Sequence, residues 1–341
     1  MRPTVHDVAK AAGVGLATVD RVLNERPGVR QATAERVKAA VDRLGFVRDA
    51  SAAALARNRQ DKLVFLIPEG PSDFMHRLEA EAREAGQRLA GRRVAIDIRT
   101  VPPFDGEALA AALRQLDTET VAGVALVATE SAAVRAELCR LNAASVPVVT
   151  LVSDAPRFPR HRYVGIDNVA AGRTAASLIG QFLGGKPGKI VVVAGSMLVR
   201  DHVERRMGFD QVISTQFPHL QASLTLEGRD ERDATRQALQ QCLDREGDIV
   251  GLYNIGAGHQ GIVDVLSDLP ADARPVVVAH ELNDTTRAAL ESGLFHAVIN
   301  QDAGHEIRSA IRVLRSLIDG TPLVEAQETI RIEIFLRDNL P

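Results

Sequence analysis

Two short amphipathic stripes separated by Gly13 lie within the first 24 residues, and they restrict how this end of the chain can fold. Before Gly13, apolar residues recur at the i, i+3, i+4, i+7 spacing of one helical face: Val5, Val8, Ala9 and Ala12. After Gly13 the stripe continues with Val14, Thr18, Val19, Val22 and Leu23. Two short helices joined by a turn that contains Gly predict a helix-turn-helix, a unit whose second helix enters the DNA major groove.

A third helix is predicted over residues 32–44, and it would close a core that two helices leave open. Its inward-facing residues are Val37, Ala40, Val41 and Leu44. Charge also separates this end from the rest of the chain. The first 60 residues contain 11 Lys and Arg against 6 Asp and Glu, whereas the remaining residues contain 30 against 38. A basic head on an acidic body predicts that only the head contacts nucleic-acid phosphates.

The order of residues in this head closely resembles the DNA-binding head of the lac repressor/galactose repressor family. The resemblance is carried by Asp7-Val8-Ala9, Ala12-Gly13-Val14, Thr18-Val19, Arg21-Val22-Leu23-Asn24, Leu44-Gly45-Phe46 and a match to the family's hinge helix at residues 52–57. It implies a helix-turn-helix domain over residues 1–47, followed by a hinge helix and linker over residues 48–61. It also implies eight DNA contacts: Thr4, Leu16, Ala17, Thr18, Arg21, Asn24, Ala52 and Leu55.

Base reading is expected to begin in the first turn of the second helix. Leu16 and Ala17 can contact thymine methyl groups, but they cannot make the bidentate bonds that fix a purine. Arg21, one turn later, suits either a guanine contact or a phosphate contact, and the sequence leaves both open. Asp20 stands where the family usually has Ser, so the operator sequence is not predicted.

The hinge is expected to depend on DNA for its structure. Residues 49–56 favour a helix, but they are fewer than the roughly 12–15 residues that an isolated helix needs in water. The resemblance implies that two copies fold together in the minor groove, where Leu55 wedges between base steps and kinks the duplex. In the alternative interpretation, Leu55 covers the surface of the body within a linker. The first interpretation predicts a homodimer on a palindromic DNA operator.

From residue 62 onward, short β-branched apolar runs alternate with amphipathic, Ala-rich stretches. Strands are predicted at residues 63–67, 94–99, 124–127, 148–151, 163–166, 190–194, 221–226, 249–253, 276–279 and 297–300. Strands of this length separated by helices predict parallel sheets built of βαβ units. Because ten strands are too many for one compact sheet, the predicted fold class is α/β with two lobes and a ligand cleft between them.

The family resemblance continues more weakly through the body and implies two lobes of the periplasmic-binding-protein type over residues 62–341. Its motifs lie at residues 164–173, 205–209, 299–302 and 334–340. Three crossovers between the lobes are expected near residues 160–163, 284–290 and 319–324. They assign about 62–162 and 290–320 to the first lobe, and about 163–289 and 321–341 to the second.

Eight residues are expected to contact an effector by this resemblance: Ser72, Asp73, Phe74, Asp154, Arg205, Asn254, Glu281 and Gln301. Phe74 would lie against the apolar face of a sugar ring, Asp73 would accept hydroxyl hydrogens, and Arg205 would form a bidentate clamp. Each of the eight is also compatible with a loop-capping or solvated role. The expected ligand is a monosaccharide, sugar alcohol or cyclitol, and a sugar phosphate is an open alternative.

Two other functions compete with a transcriptional regulator. The segment Gly256-Ala257-Gly258-His259-Gln260-Gly261 matches the glycine pattern of dinucleotide-binding folds, and Glu281 follows at a suitable distance, which favours an NAD-dependent oxidoreductase. The motif lies deep in the chain, however, within the segment that resembles a ligand loop. A plain sugar-binding or transport component is the second alternative, and the basic head and the absence of an apolar leader favour the regulator.

Cysteine and hydropathy patterns favour a cytoplasmic protein. Cys139 and Cys242 are far apart and fit no metal spacing, and no apolar run approaches the ~18 residues of a membrane span. The prediction is therefore a non-enzymatic transcriptional regulator, most simply a repressor, with double-stranded DNA, a small effector and a second copy of itself as partners. No cofactor, metal or membrane is expected.

Overall fold

Three short helices form the amino-terminal unit of the chain. The computed structural model describes residues 3–23, 28–44, 60–90 and 94–341, and these divide into two units, Met1–Arg59 and Gln60–Pro341. The helices of the first unit are α1 (Val5–Ala12), α2 (Leu16–Leu23) and α3 (Gln31–Leu44). The predicted helix-turn-helix and third helix are confirmed, and α3 begins one residue earlier than expected.

Local sequence determines where α1 begins and ends. The Thr4 side chain accepts a hydrogen bond from the Asp7 backbone N–H, and the Asp7 carboxylate accepts one from the Thr4 backbone N–H, which completes a capping box. Gly13 ends the helix at a φ of 64°, a left-handed conformation that a glycine adopts without steric cost. The core of this unit is centred on Val8, Val19 and Val37, one from each helix.

Two sheets form the body, as predicted. The first contains β1 (Asp61–Pro68), β2 (Val94–Val101), β3 (Val121–Leu126), β4 (Val148–Leu151) and β5 (Arg162–Val164), all parallel, in the order β2-β1-β3-β4-β5. The second contains β6 (Gly188–Ala194), β7 (Leu220–Glu227), β8 (Ile249–Asn254), β9 (Val276–His280), β10 (Ala297–Asn300) and β11 (Glu333–Phe335), in the order β11-β10-β9-β8-β6-β7. Each of the ten predicted strands is present. The eleventh, β11, escaped prediction because three residues at a sheet edge carry no readable alternation, and it runs antiparallel to β10.

Helices cover the faces of both sheets. They are α4 (Asp73–Leu89), α5 (Gly106–Arg114), α6 (Ala132–Ala143), α7 (Asn168–Leu183), α8 (Arg200–Gln216), α9 (Arg232–Arg245), α10 (His259–Ser267), α11 (Asp284–Glu291), α12 (Ala303–Asp319) and α13 (Glu325–Glu328). Short 3₁₀ helices occupy Ala271–Ala273 and Arg337–Asn339. Among the described residues, no helix combines the length and the apolar character that crossing a bilayer requires.

Two of the three crossovers between the lobes lie at positions different from those expected. The first follows β5, because Arg162–Val164 pairs with β4 of the first sheet. The second follows β10, not residues 284–290: α11 spans that segment, and Ala297–Asn300 pairs with β9 and β11 of the second sheet. The assignment of residues 290–300 to the first lobe is therefore wrong.

The third crossover follows α13 instead of residues 319–324. Two ion pairs hold α13 to the first lobe, one between Glu325 and Arg162 at 2.5 Å and one between Glu328 and Arg312 at 2.8 Å. Helix α12 also packs on the first lobe, against α4 and β3. The first lobe therefore regains the chain from α12 to α13, and the chain re-enters the second lobe with β11. The position of this crossover could not be predicted from the sequence because crossovers are loops with no apolar pattern of their own.

Two glycines allow α7 and α8 to cross in close contact. A Cβ on Gly172 would lie 1.9 Å from the Arg205 carbonyl oxygen, and a Cβ on Gly208 would lie 2.0 Å from the Val169 carbonyl oxygen. Both distances are far inside van der Waals contact, so only glycine fits at either position. This contact brings the start of α8, which carries Arg205, against the start of α7.

Candidate functional site

The amino-terminal unit presents the start of α2 as its candidate DNA surface. Leu16 has 42% of its surface exposed, Ala17 and Arg21 are exposed, and Thr18 is half-buried. Exposed apolar and cationic side chains on the first two turns of a second helix match what base and phosphate contact requires. Thr4 is exposed and caps α1. Asn24, Ala52 and Leu55 lie outside the described residues.

A cleft in the body collects side chains from the ends of several strands. Its lining comprises Ser72, Asp73, Phe74, Met75, Val152, Asp201, His202, Arg205, Asp230, Gly256, Ala257, His259, Glu281, Asn283 and Gln301. An adjoining chamber shares some of these residues and adds an apolar surface that includes Pro71, Pro103 and Phe104. Six of the eight predicted effector residues line the cleft, namely Ser72, Asp73, Phe74, Arg205, Glu281 and Gln301.

Arg205 lies at the centre of the cleft with 2% of its surface exposed. Its Nε donates to the Asn168 Oδ1 at 2.8 Å, and its Nη1 donates to the Ile255 carbonyl at 2.9 Å. Both acceptors are neutral, and Nη2 has no hydrogen-bond partner among the described residues. A buried guanidinium with an unused donor can bind an acceptor on a ligand.

Glu281 and Gln301 form a hydrogen-bonded pair on the cleft wall. The Gln301 Nε2 donates to the Glu281 Oε1 at 2.9 Å, while the Glu281 Oε2 and the Gln301 Oε1 are both buried and unpartnered among the described residues. Burial raises the pKa of Glu281 to about 7, against the lowering influence of Arg205 and Gln301. The carboxyl group therefore changes its charge state near neutral pH.

The start of α4 joins the two lobes across the cleft. The Asp73 Oδ2 accepts from the Asn283 Nδ2 at 2.7 Å, and the Arg77 Nη2 donates to the Leu282 carbonyl at 2.7 Å. Ser72 caps α4 by accepting from the Met75 N–H at 3.5 Å. Asp73 is thus already engaged with the second lobe, and Ser72 has the loop-capping role that the sequence left open.

Phe74 and Phe104 differ in how far they can reach a ligand. Phe74 lines the cleft, but 6% of its surface is exposed and it packs in the core of the first lobe. Phe104 is half-buried in the adjoining chamber and is the aromatic residue with a free surface there. The sequence analysis missed Phe104, although it lies three residues after the end of β2, because no motif marks the loop that carries it.

Asp154 and Asn254 are not part of the cleft lining. Arg160 binds Asp154 through two hydrogen bonds of 2.6 and 2.7 Å, and the Thr150 hydroxyl donates to the same carboxylate at 2.7 Å. Burial acts to raise the pKa of Asp154, but the bonds from Arg160 and Thr150 outweigh it and hold the pKa below its usual value. Asn254 is fully buried, and its Nδ2 donates to the Ala257 carbonyl at 3.1 Å, which shapes the loop after β8.

The sequence analysis also missed polar residues of the second lobe. Asp201, His202, Asp230, His259 and Asn283 all line the cleft. Burial lowers the pKa of His259, whose Nε2 bonds to the His280 carbonyl at 2.8 Å. Asp230, His259 and Asn283 lie within five residues of the ends of β7, β8 and β9, and this position in the sequence could have identified them. Asp201 and His202 lie in the first turn of α8.

Backbone strain marks the same region. Val152, Arg229, Asp230 and Glu281 have φ values of 60°, 54°, 62° and 65°, in the left-handed region that non-glycine residues rarely adopt. Each belongs to the lining of the cleft or of its adjoining chamber. Strained backbone of this kind concentrates at ligand sites, where the surrounding fold maintains it.

The glycine pattern after β8 has a packing explanation. Gly258 starts α10 at a φ of 77°, and a Cβ on Gly261 would lie 2.3 Å from the Arg232 carbonyl oxygen of α9. Gly256 borders the cleft, where a Cβ would lie 2.8 Å from the Asp230 Oδ1. The three glycines therefore allow the loop and α10 to pack closely. In the described residues, no group of three or more His, Cys, Asp or Glu side chains could hold a metal ion.

Helices in a helix-turn-helix arrangement and a two-lobed body with a polar cleft define a DNA-binding protein with a ligand-binding domain. Comparison with known families gives the same division: residues 4–49 match "Bacterial regulatory proteins, lacI family", and residues 63–322 match "Periplasmic binding protein domain". The chain therefore belongs to the periplasmic-binding-protein domain family over most of its length and carries a lacI-family DNA-binding domain at its amino-terminal end. It is a DNA-binding transcriptional regulator and not an enzyme.

Individual relatives agree with this assignment. The HTH-type transcriptional regulator CelR of Thermobifida fusca is 29% identical over 262 residues, which are 74% of this chain and 73% of the relative. The HTH-type transcriptional regulator DegA of Bacillus subtilis is 24% identical over 245 residues, 72% of this chain and 71% of the relative. Among solved structures, GanP, a glucose-galactose binding protein from Geobacillus stearothermophilus, superposes with a TM-score of 0.74 at 18% identity, over 83% of this chain and 100% of that chain.

Proposed function

We propose that this regulator is a cytoplasmic repressor that binds a palindromic operator as a homodimer. We also propose that a small sugar-like effector in the cleft controls its affinity for the operator. The observation that carries the ligand half of the proposal is the set of buried, unpartnered polar atoms on Arg205, Glu281 and Gln301. Buried polar groups without partners cost free energy in the unliganded protein, so a polyhydroxylated ligand that pairs them binds favourably. Structural neighbours such as GanP, a glucose-galactose binding protein, support the same ligand class.

Control would operate through the closure of the lobes. Contacts across the cleft join Asp73 to Asn283, Arg77 to the Leu282 carbonyl, and Glu130 to Arg200 at 3.4 Å. A ligand that pairs with both walls stabilises the closed arrangement relative to an open one. In a homodimer, the shift of one lobe would change the distance between the two hinges and thereby the stability of the hinge helices on DNA.

The coupling between the two sites is reciprocal. An effector that weakens operator binding is itself bound less well on DNA, and an effector that strengthens operator binding is bound better, by the same factor. Induction and corepression therefore differ only in the sign of one coupling free energy. Measuring effector affinity with and without operator gives that sign directly.

The DNA half of the proposal is tested with an operator selected from random inverted repeats. Arg21→Ala should weaken binding about 10-fold or more and reduce its salt dependence, because a base or phosphate contact is lost. Lys38→Ala removes the same charge from exposed α3 and serves as the matched control, with an expected change below 3-fold. Leu55→Ala should weaken operator binding and leave effector affinity unchanged. No salt-sensitive preference for any inverted repeat would overturn the proposal.

The ligand half is tested by a thermal-shift screen of sugars, sugar alcohols, cyclitols and sugar phosphates. A ligand selective for the folded cleft raises the melting temperature in proportion to the logarithm of its concentration. Ligands that pass are then titrated into the protein–operator complex while fluorescence anisotropy is recorded. A cleft ligand that leaves operator affinity unchanged would contradict the proposed control.

A further inference from the structure

The cleft carries an excess of negative charge. Among the described residues that line it are four acidic side chains, Asp73, Asp201, Asp230 and Glu281, against the single guanidinium of Arg205, and no lysine. Glu281, with a pKa of about 7, is only partly ionised in the unliganded protein at neutral pH, and the other three acids still outnumber Arg205. The adjoining chamber adds Glu69 and Arg229, which leaves the excess unchanged. Burial keeps His259 neutral at pH 7 by lowering its pKa. The lining therefore offers a ligand a negative electrostatic potential.

The unpartnered atoms of the cleft are mostly acceptors. Within the described residues, the Asp201 Oδ1, the Glu281 Oε2 and the Gln301 Oε1 lack a hydrogen-bond partner, and each side chain is more than nine-tenths buried. The Arg205 Nη2 is the corresponding donor. The ligand therefore has to donate about three hydrogen bonds for each one that it accepts. An ammonium group has three N–H donors and no acceptor, whereas a hydroxyl group both donates and accepts.

Two other buried carboxylates of the body, Asp154 and Glu137, show what the cleft lacks. The fully buried Glu306 outside the cleft also has no cationic partner among the described residues, and burial raises its pKa well above the usual value. Asp154 is paired with Arg160, and Glu137 is paired with both Arg114 and Arg140, at distances of 2.6 to 2.9 Å. Asp201 has the His202 Nε2 at 3.7 Å, and Glu281 has only the amide of Gln301. Arg205 bonds to neutral acceptors instead of either acid. Because buried carboxylates normally have a cationic partner, the missing cation is expected to come from the ligand.

We propose that the ligand of this cleft is a polyhydroxylated ring that carries a protonated amine, such as an amino sugar or an amino cyclitol. The inference rests on the proposed function, because it names the ligand class of the same cleft. The ammonium group binds at the wall formed by Asp201, Glu281 and Gln301, and a ring oxygen or hydroxyl accepts from Arg205. A phosphate or carboxylate on the ligand would add negative charge to an acidic site and is excluded.

The test uses matched sets of sugars that differ only in charge. Each set contains the parent hexose, its 2-amino form, its N-acetylated amine and its uronic acid, for the gluco, galacto and manno series, together with inositol and its amino analogue. At least one amine should bind 10-fold or more tightly than its hydroxyl and N-acetyl counterparts by calorimetry, and the acids should not bind. A neutral or anionic member that binds as tightly as its amine, or no binding by any amine, would overturn the inference.

Variants localise the effect to the proposed wall. Glu281→Gln and Asp201→Asn keep the shape of the side chain and remove its charge, so each should reduce amine affinity 10-fold or more and change the affinity of the neutral parent less than 3-fold. Glu291→Gln, on the exposed end of α11, is the matched control and should leave both unchanged. Melting temperatures check that each variant is folded. Equal losses for the amine and its parent would contradict a role for charge.

The outcome separates this inference from the proposed function. If an amine binds tightly but operator affinity does not respond to it, the ligand class stands and the proposed control fails. If a neutral sugar or a sugar phosphate alters operator affinity, the control stands and the ligand class fails.

Discussion

The two lobes of the body differ in how they pair most of their buried acids. Glu306 of the first lobe, which is fully buried and has no partner for either carboxyl oxygen among the described residues, is an exception. In the first lobe, Glu137, Asp154 and Glu328 are each within 2.9 Å of an arginine, and burial is outweighed so that the pKa of each is lowered. In the second lobe, Asp201 and Glu281 have no arginine partner among the described residues, although Arg205 lies in the same cleft.

This difference separates structural charges from those available to a ligand. An acid that is paired by its own lobe contributes to the fold and has no free capacity, whereas an unpaired acid is a cost to stability that a ligand can remove. We therefore propose that the second lobe is the primary binding wall. In this proposal the first lobe supplies Asp73, most of the apolar lining of the chamber and its side of the contacts that close over the ligand.

The largest effect is expected at the helix contact that positions Arg205 in the second lobe. Gly208→Ala places a Cβ 2.0 Å from the Val169 carbonyl oxygen, so α7 and α8 must separate, at a cost of about 3 kcal/mol or more. Gly86→Ala in α4 of the first lobe is the matched control, because its Cβ would lie at an ordinary 3.5 Å from Ile96. It should be neutral or stabilising by less than about 1 kcal/mol. Urea unfolding measures both, and similar losses for the two variants would contradict the close contact.

The second prediction tests the charge comparison itself. Asp154→Asn removes the carboxylate from Arg160 and should reduce the free energy of unfolding by about 2 kcal/mol, since it breaks a partly buried ion pair. Asp201→Asn removes a charge that has no arginine partner, so the expected change is within about 0.5 kcal/mol or a gain. For ligand affinity the order should be reversed: Asp201→Asn should cause the larger loss and Asp154→Asn the smaller one. Equal stability losses from the two variants would contradict the claim that Asp154 is stabilised by an arginine and Asp201 is not.

Most of the fold could be predicted from the sequence, because periodicity carries the information. The helical stripes around Gly13 and the alternation of β-branched runs with helices in the body both correspond to elements of the structure. The second and third crossovers could not be placed, since a strand such as Ala297–Asn300 looks the same in either sheet. Pairing partners decide that question, and they are distant in sequence.

The candidate site was predicted less completely. Asp154 follows β4 and Asp201 lies in the first turn of α8. No local sequence pattern shows that Arg160 pairs with Asp154, whereas Asp201 has no arginine partner among the described residues. The positive φ of Glu281 also has no sequence signal, because glutamate shows no preference for that conformation. Arg205, Glu281 and Gln301 were found by resemblance, whereas Asp230, His259 and Asn283 required the three-dimensional structure.

The third prediction uses the pH dependence of stability. Glu281 has a folded pKa of about 7 against an ordinary value of 4.5, so its folded form holds a proton more tightly than the unfolded chain. The wild-type protein therefore loses stability as pH rises from about 5 to 8, by on the order of 2 kcal/mol from this group. Glu281→Gln lacks this loss, and its stability relative to wild type should increase over that range.

Other groups around Glu281 define the control for this experiment. Arg205 and Arg77 lower the pKa of Glu281, Asp201 raises it, and Glu306 below the cleft is fully buried with its own pKa raised by burial. Glu306→Gln should therefore also change the pH profile, whereas the paired first-lobe variant Glu137→Gln should not change it between pH 5 and 8. A profile for Glu281→Gln that is parallel to wild type throughout would exclude a neutral carboxyl at neutral pH.

The smallest effect is expected where the first lobe closes on the second. Arg77→Gln removes the hydrogen bond to the Leu282 carbonyl, one of several contacts across the cleft, and should weaken ligand binding by about 2- to 5-fold. The melting temperature of the unliganded protein should change little, because Arg77 is exposed. Arg83→Gln on the same helix is the matched control, since Arg83 bonds to Glu79 within the helix. If both variants bind the ligand with wild-type affinity, the first lobe does not contribute to binding through this contact, and the second lobe holds the ligand without it.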